Sequence, residues 1–129
     1  SLLCPNEREA RIALHEKDLD LEALSLKIIK ETKAEKLIMK LGSNGFISYE
    51  NINKKIKSQA FPALCANPID VAGAGDSLLA VMAVGLSSSQ EMLDTAAIGC
   101  CMTSLVVRRM GNQPIKIDEL INHIDEMFL

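Results

Sequence analysis

A short glycine-containing loop at residues 68–77 leads directly into an apolar run at residues 78–84, and this junction most constrains the fold. Such a junction is typical of a tight turn that opens a buried helix. Gly73 and Gly75 lack a Cβ atom, so the backbone there can adopt positive φ and approach a ligand closely. The first-turn amides of a helix have no intrahelical acceptor, and the helix dipole favours an anion at that end. Asp76 lies at the same end, so the junction indicates phosphate chemistry.

The same loop also has simpler interpretations. Asp76, just before an apolar run, is a common type of N-cap, and Gly73 and Gly75 can serve only as turn formers. Two familiar phosphate-binding patterns do not fit the spacing. A P-loop needs a lysine where Asp76 stands, and the dinucleotide fingerprint needs a third glycine where Leu78 stands. The residues alone therefore leave both a phosphate site and an ordinary helix start open.

Composition limits the class of protein. A chain of 129 residues that is 48% hydrophobic is long enough for one compact domain with a core. The net charge of −3 gives no basic surface, so nucleic acid is not an expected partner. No apolar run has membrane-spanning length and the N-terminus is not signal-like, so we expect a cytoplasmic protein with no membrane partner. The cysteines follow no zinc spacing and are expected to be reduced thiols, namely Cys4, Cys65, Cys100 and Cys101.

Hydrophobic periodicity predicts a mixture of helices and strands typical of an α/β protein. The predicted helices are residues 10–15, 21–32, 77–86, 90–110 and 117–128, and the predicted strands are residues 36–41, 46–50 and 55–60. The segment 77–86 is apolar on every face, which predicts a helix buried on all sides. Small residues at 96–101 predict that the next helix packs closely against a neighbouring helix.

Local signals refine these elements. Asn6 and Glu9 have the spacing of a capping box at the start of the first helix. Basic residues followed by Gly111 and then a proline predict the end of the 90–110 helix. His123 lies off the apolar stripe of the terminal helix. Neither His123 nor His15 is an expected catalytic residue.

Residues 70–76, Asp-Val-Ala-Gly-Ala-Gly-Asp, resemble the D-T-x-G-A-G-D signature of the ribokinase-like (PfkB) carbohydrate kinases. Val71 replaces the usual threonine, which is also similar to the D-V-T-G-A-G-D of the heptose-7-phosphate kinase branch. The resemblance implies that residues 1–129 form a single α/β domain, the nucleotide-binding C-terminal part of a ribokinase-like fold. A central, mostly parallel sheet with a β-hairpin element and flanking helices is expected, with the sugar-binding N-terminal part absent.

At the 70–76 loop, the resemblance implies the chemistry. Gly73, Ala74 and Gly75, together with Asp76, would form an anion hole for the transferred phosphoryl group. Asp76 would also be the base that accepts the proton of the acceptor hydroxyl. The implied activity is ATP-dependent phosphoryl transfer to a hydroxyl of a sugar or sugar phosphate, with this chain alone incomplete for catalysis.

A second matching segment concerns the nucleotide. Leu41, Gly42 and Gly45 resemble the family's T-L-G-x-x-G stretch, which lies along the nucleotide. Lys40 replaces the usual threonine, so a hydroxyl contact is not expected there. Backbone contacts from Gly42 do not depend on that side chain.

The resemblance also implies metal-binding residues. Asn6 and Glu9 match the N-x-x-E motif, which is associated with Mg²⁺ and phosphate, in part through water. Mg²⁺ keeps several waters and needs only one or two carboxylates, so a single glutamate at a helix start is adequate. Asp70 and Gly111, with nearby backbone carbonyls, would bind a monovalent cation such as K⁺.

Two other functions remain open at this point. The chain could be part of a nucleoside kinase of the same family, or a noncatalytic nucleotide-binding or interaction domain. The expected partners are ATP and a small sugar or sugar phosphate, and a homodimer is left open.

Overall fold

The computed structural model describes residues 1–111 and 113–128 of the chain. Its strands and helices follow in the order β1 Leu2–Leu3, α1 Glu7–Leu14, α2 Leu21–Thr32, β2 Lys36–Lys40, β3 Phe46–Ile52, β4 Lys55–Phe61, α3 Ala74–Ser87, α4 Met92–Val106 and α5 Ile117–Phe128. A 3-10 turn at Gly42–Asn44 joins β2 to β3. The chain divides into two compact units, residues 1–60 and residues 61–129.

The sheet has the order β1-β2-β3-β4 and is mixed. β1 pairs with β2 in parallel, and β2 pairs with β3 antiparallel. A two-residue turn joins β3 to β4, and its residues Asn53 and Lys54 have φ values of 51° and 65°. Positive φ at both positions is the type I′ geometry that matches the twist of a hairpin. The predicted α/β class and β-hairpin element are confirmed, while parallel pairing among the described strands is limited to β1 and β2.

The core of the first unit lies between the sheet and helices α1 and α2. Leu37 and Met39 of β2 pack with Leu24 and Ile28 of α2 and with Ala10 of α1. All five side chains are buried, since strand residues two apart share one face of the sheet and present it to the helices. The predicted strands and the helix at 21–32 are confirmed, with ends that differ by one or two residues.

The second unit is built on close packing of α3 against α4. A Cβ placed on Gly99 of α4 would lie 2.6 Å from Cδ1 of Leu78, and one on Gly85 of α3 would lie 2.4 Å from Cγ2 of Thr95. Only a hydrogen fits at these two positions without displacing a neighbour. The prediction that small residues allow close helix packing is confirmed at Gly99.

Helix α3 begins near the predicted place, but the prediction that it is buried on all sides is wrong. Leu78 and Met82 are buried, whereas the side chains of Leu79 and Val84 are 44% and 66% exposed. An all-apolar sequence cannot indicate which face of a helix is covered by neighbouring elements.

The predictions for the last two helices need two corrections. α4 ends at Val106 rather than near residue 110, and the amides of Arg108 and Arg109 bond to carbonyls three residues earlier in a tighter turn. In α5, His123, which was expected to lie off the apolar stripe, is only 3% exposed, whereas Ile121 is 49% exposed. The polar side chain is buried because its Nε2 atom lies 2.6 Å from the Oγ atom of Ser104 in α4. Ser104 Oγ donates to the Cys101 carbonyl at 2.8 Å, so His123 Nε2–H is the donor to Ser104.

Two further properties follow from the described residues. Within residues 1–111 and 113–128, every helix is too short or too polar to cross a membrane. All four cysteines are free, and Cys100 and Cys101 are buried. Burial, with the neighbouring Cys101 adding to it, raises the pKa of the Cys100 thiol to about 11.

Candidate active site

The 70–76 loop ends in a left-handed residue that starts α3. Gly73 is the N-cap and has φ 77° and ψ −5°, a conformation that costs a residue with a Cβ roughly 1–2 kcal/mol. The first helical hydrogen bond runs from the amide of Ser77 to the carbonyl of Gly73 at 2.9 Å. Because the helix begins at residue 74, Asp76 lies in its first turn and is not the N-cap.

The first turn of α3 presents backbone donors. The amide of Ala74 donates to the Val71 carbonyl in a long bond of 3.3 Å. Among residues 1–111 and 113–128, the amides of Gly75 and Asp76 have no hydrogen-bond acceptor. The helix dipole adds positive potential at the same place, and the Asp76 side chain is exposed beside it. This helix start can accept an anion, with a carboxylate alongside.

Asp70 joins the loop to the turn that follows α4. Its Oδ1 atom accepts the amide of Ala72 at 2.9 Å, and its Oδ2 atom accepts the amide of Gly111 at 3.0 Å. These donors, first Ala72 and then Gly111, hold the pKa of Asp70 below its usual value, so the carboxylate stays ionised. The structure therefore brings together Asp70 and Gly111, the two residues that the resemblance assigned to a monovalent cation.

One contributor to this loop was missed from the sequence. The carbonyl of Val107 accepts the amides of Ile69 and Asp70 at 2.7 and 3.2 Å. A backbone carbonyl carries no side-chain signal, so no residue pattern indicates it. The contact depends on where α4 ends, which the periodicity placed too late.

In the first unit, Asn6 and Glu9 form the predicted capping box. Asn6 Oδ1 accepts the amide of Glu9 at 2.8 Å, and Glu9 Oε2 accepts the amide of Asn6 at 2.7 Å. The capping interpretation is thus confirmed, and the role near Mg²⁺ stays a prediction. Among the described residues no group of three or more His, Cys, Asp or Glu side chains could hold a metal. One exposed carboxylate with an amide oxygen beside it still suits Mg²⁺, which keeps most of its waters.

The two motifs of the first unit meet at the carboxyl ends of β1 and β2. Asn6 and Lys40 form a parallel bridge, and the amide of Lys40 donates to the Pro5 carbonyl at 2.9 Å. An open groove at this edge is lined by residues of α1 and of the β2 end, including Arg8 and Gly42. Ligands of α/β proteins commonly bind at the carboxyl ends of parallel strands.

The backbone of residues 41–45 is a tight turn. The amide of Leu41 donates to the Gly45 carbonyl at 2.8 Å, and the amide of Gly45 donates to the Gly42 carbonyl at 3.1 Å. Gly42 and Gly45 have φ values of 58° and 83°. Within the part of the chain that the structure describes, the Gly42 amide has no acceptor, so it alone of these three amides is available to a ligand.

The predicted site residues thus fall into two sets. Asn6, Glu9 and residues 41–45 lie in the first unit, and the 70–76 loop and Gly111 lie in the second. An α/β fold with free amides at a glycine-started helix is typical of proteins that bind phosphate groups.

Comparison with known proteins identifies the family. The profile described as "pfkB family carbohydrate kinase" matches residues 1–119. The chain therefore belongs to the pfkB family of carbohydrate kinases, as the 70–76 signature predicted.

Two relatives are named Bifunctional protein HldE. The protein from Pelobacter propionicus is 27% identical over 96% of this chain, and the one from Campylobacter jejuni subsp. jejuni is 32% identical over 97% of it. The chain spans only 25% and 27% of the length of these relatives.

Solved structures share the fold. Phosphofructokinase-2 from Escherichia coli, in complex with potassium, superposes with a TM-score of 0.82 at 17% identity, over 98% of this chain and 41% of that one. Ribokinase from Thermotoga maritima gives 0.81 at 25% identity, over 96% of this chain and 42% of that one. Arabidopsis thaliana ribokinase complexed with ribose and ATP gives a TM-score of 0.79 at 24% identity, over 96% of this chain and 40% of that one. The ribokinase-like fold is thereby confirmed.

Proposed function

We propose that this chain is the nucleotide-binding C-terminal part of an ATP-dependent kinase that phosphorylates a hydroxyl of a sugar or sugar phosphate. The observation that carries the proposal is the start of α3, where the unpaired amides of Gly75 and Asp76 lie beside the exposed Asp76 carboxylate. Family membership supports the reaction class. Because the chain spans a quarter of its HldE relatives, the sugar-binding part is proposed to lie outside these residues.

In the proposed reaction, the acceptor oxygen attacks the γ-phosphorus of ATP and the bond from that phosphorus to the β-phosphate oxygen breaks, which releases ADP. Asp76 takes the proton of the acceptor hydroxyl. The amides of Gly75 and Asp76 donate to the oxygens of the transferring group, and the weakly bonded amide of Ala74 adds a third donor. Phosphoryl transfer has a loose transition state, so positioning and electrostatics contribute more than base strength.

Two cations fit the proposal. Glu9 and Asn6 would hold Mg²⁺ largely through water, and the ion would neutralise charge on the phosphate oxygens. Asp70, ionised and held by Ala72 and Gly111, would be the anionic ligand of K⁺. A fold relative, phosphofructokinase-2 from Escherichia coli, has been solved in complex with potassium, which supports the second assignment.

For the acceptor, a sugar phosphate is favoured. Val71 matches the second position of the D-V-T-G-A-G-D pattern of the heptose-7-phosphate kinase branch, although Ala72 stands where that pattern has threonine. Relatives named Bifunctional protein HldE match nearly the whole chain. A nucleoside acceptor is the alternative within the family. A panel of heptose phosphates, hexose phosphates and nucleosides, assayed for ADP release with the full-length protein, separates these classes.

The decisive experiment is Asp76→Asn in the full-length protein. Removing the base should lower kcat by about 10²–10⁴-fold, while the Kd for ATP changes less than about twofold, because the amide donors remain. Asp94→Asn is the matched control, since Asp94 is an exposed acid in the first turn of the next helix. Near-normal turnover of Asp76→Asn would refute the base assignment. ATP that fails to raise the melting temperature of the wild-type protein would instead favour the noncatalytic interaction domain.

A further inference from the structure

We propose that Glu119 and Arg109 are positioning residues for the 70–76 loop, acting through the turn at residues 107–111. Neither residue is among the groups proposed to touch ATP or sugar. The effect on turnover rests on the proposed function, whereas the effect on loop order does not.

The first contact in this arrangement ties the turn to α5. Arg109 Nη2 forms an ion pair with Glu119 Oε2, and the two side chains are 34% and 33% exposed. The other carboxylate oxygen of Glu119 accepts the amide of Lys116 at 3.4 Å, which fixes the carboxylate at the start of α5. Hydrogen bonding from Arg109 is the main reason that the pKa of Glu119 lies below its usual value.

The second set of contacts ties the turn to the loop. The Val107 carbonyl accepts the amides of Ile69 and Asp70, and the Gly111 amide donates to Asp70 Oδ2 at 3.0 Å. In the chain, Arg109 lies between Val107, whose carbonyl accepts from the loop, and Gly111, whose amide donates to it. A displacement of its backbone therefore moves both anchors of the loop together.

The third step links Asp70 to the start of α3. Asp70 Oδ1 holds the amide of Ala72, and Gly73, the N-cap of α3, is the next residue. An unbroken series of side-chain contacts, hydrogen bonds and backbone segments thus connects α5 to the amides at the start of α3 that can accept an anion. A continuous network is a reason to expect coupling, and its size has to be measured.

The chain offers matched controls on both sides of the ion pair. Arg108 is the preceding residue, is exposed, and forms no ion pair within the described residues. Asp118 precedes Glu119 in the first turn of α5, is exposed, and likewise has no ion-pair partner among them. Arg108→Gln and Asp118→Asn remove the same charges from the same two segments.

Hydrogen–deuterium exchange on the full-length protein tests the proposal directly. Glu119→Gln should accelerate exchange of the Ile69 and Asp70 amides by about twofold to fivefold, the effect of losing one partly exposed ion pair. Exchange in α4 at residues 95–101 should stay at the wild-type rate, and Asp118→Asn should change neither segment. The proposal would be overturned if the amides of residues 69–70 in Glu119→Gln exchanged at the wild-type rate. It would also be overturned if exchange at residues 95–101 rose by the same factor as at residues 69–70.

Turnover provides the second readout. Glu119→Gln should lower kcat by a few-fold with the KM for ATP nearly unchanged, and Arg109→Gln should do the same. The double variant Arg109→Gln with Glu119→Gln should lose little more than either single variant, because both remove the same ion pair. If loop exchange rises in this non-additive way while Asp76→Asn stays active, the base assignment is refuted and the positioning role is supported. Additive losses in the double variant would count against the ion pair.

Discussion

Substituting Gly85 by alanine tests how tightly α3 is seated on α4, and therefore how the helix that begins at the proposed anion site is held. The new Cβ would lie 2.4 Å from Cγ2, 2.8 Å from Oγ1 and 3.1 Å from Cβ of Thr95. Thr95 is buried, and its Oγ1 donates to the Glu91 carbonyl at 2.8 Å. The branched Cβ and this hydrogen bond restrict χ1 of Thr95, so we expect the two helices to separate rather than the side chain to move away.

The magnitude follows from two opposing effects. Overpacking of this kind costs about 1–3 kcal/mol, and the higher helix propensity of alanine returns at most about 1 kcal/mol. Gly85 is two residues from the end of α3, so the propensity gain is smaller than in a helix centre. We expect Gly85→Ala to lower the free energy of unfolding by about 1–2 kcal/mol.

Urea denaturation followed by circular dichroism at the helical band is the suitable assay, because the sequence has no tryptophan and one tyrosine. With a slope of about 2 kcal/mol per molar urea, the midpoint should fall by about 0.5–1 M. Gly99→Ala is the control, since its Cβ would clash only with the end of the Leu78 side chain, which can shift, and would lie at ordinary contact distance, 3.8 Å, from Cγ1 of Val81. Gly99→Ala should therefore lower the free energy of unfolding by less than Gly85→Ala does.

A double-mutant cycle identifies the cause. Thr95→Ala removes the two nearest atoms, so in its presence Gly85→Ala should cost at least about 1 kcal/mol less than in the wild type. A wild-type midpoint for Gly85→Ala, or additive losses in the double variant, would refute the account of α3–α4 packing.

Two further predictions concern a helix start and a buried histidine. Asn6→Ala should lower the free energy of unfolding by about 1 kcal/mol because the amide of Glu9 loses its acceptor. Asn6→Ser, which keeps an acceptor, should retain most of the wild-type stability. Equal urea midpoints for the two variants would contradict this account. Burial, with Arg108 nearby, lowers the pKa of His123 from 6.5, so its contribution to stability is complete above about pH 6.5 and is lost as the pH falls through the folded-state pKa. His123→Gln keeps a donor to Ser104 without titrating, and should flatten the fall in urea midpoint between about pH 7.5 and about pH 5.5. An unchanged pH dependence in that variant would show that another group is responsible.

Features set by neighbours in the chain were predictable from the sequence. The capping box of Asn6 and Glu9 and the helix start beside Gly73 depend on residues within three or four positions of one another. The hairpin between β3 and β4 likewise follows from alternation and a polar turn. In each case the local side chains supply the hydrogen bonds or the backbone freedom that defines the element.

Features that depend on distant residues could not be obtained from periodicity. Asp70 meets Gly111 across 41 positions, and only the family resemblance placed them at one site. His123 appears polar in any hydropathy pattern, and its burial depends on Ser104 in another helix. The end of α4 was missed because apolar and basic residues continue past Val106, while the chain leaves the helix to turn toward residues 69–70. Tertiary contacts outweigh local preference at such positions.

The donors at the start of α3 belong to the main chain, and this affects how the sequence can diverge. Every amino acid except proline supplies the same N–H group, so exchange of side chains around residues 74–76 does not delete the donors. Only Gly73, with φ 77°, carries a strict demand on residue type at the helix start. A change of side chain in this loop, at Val71 for example, therefore leaves these amides in place.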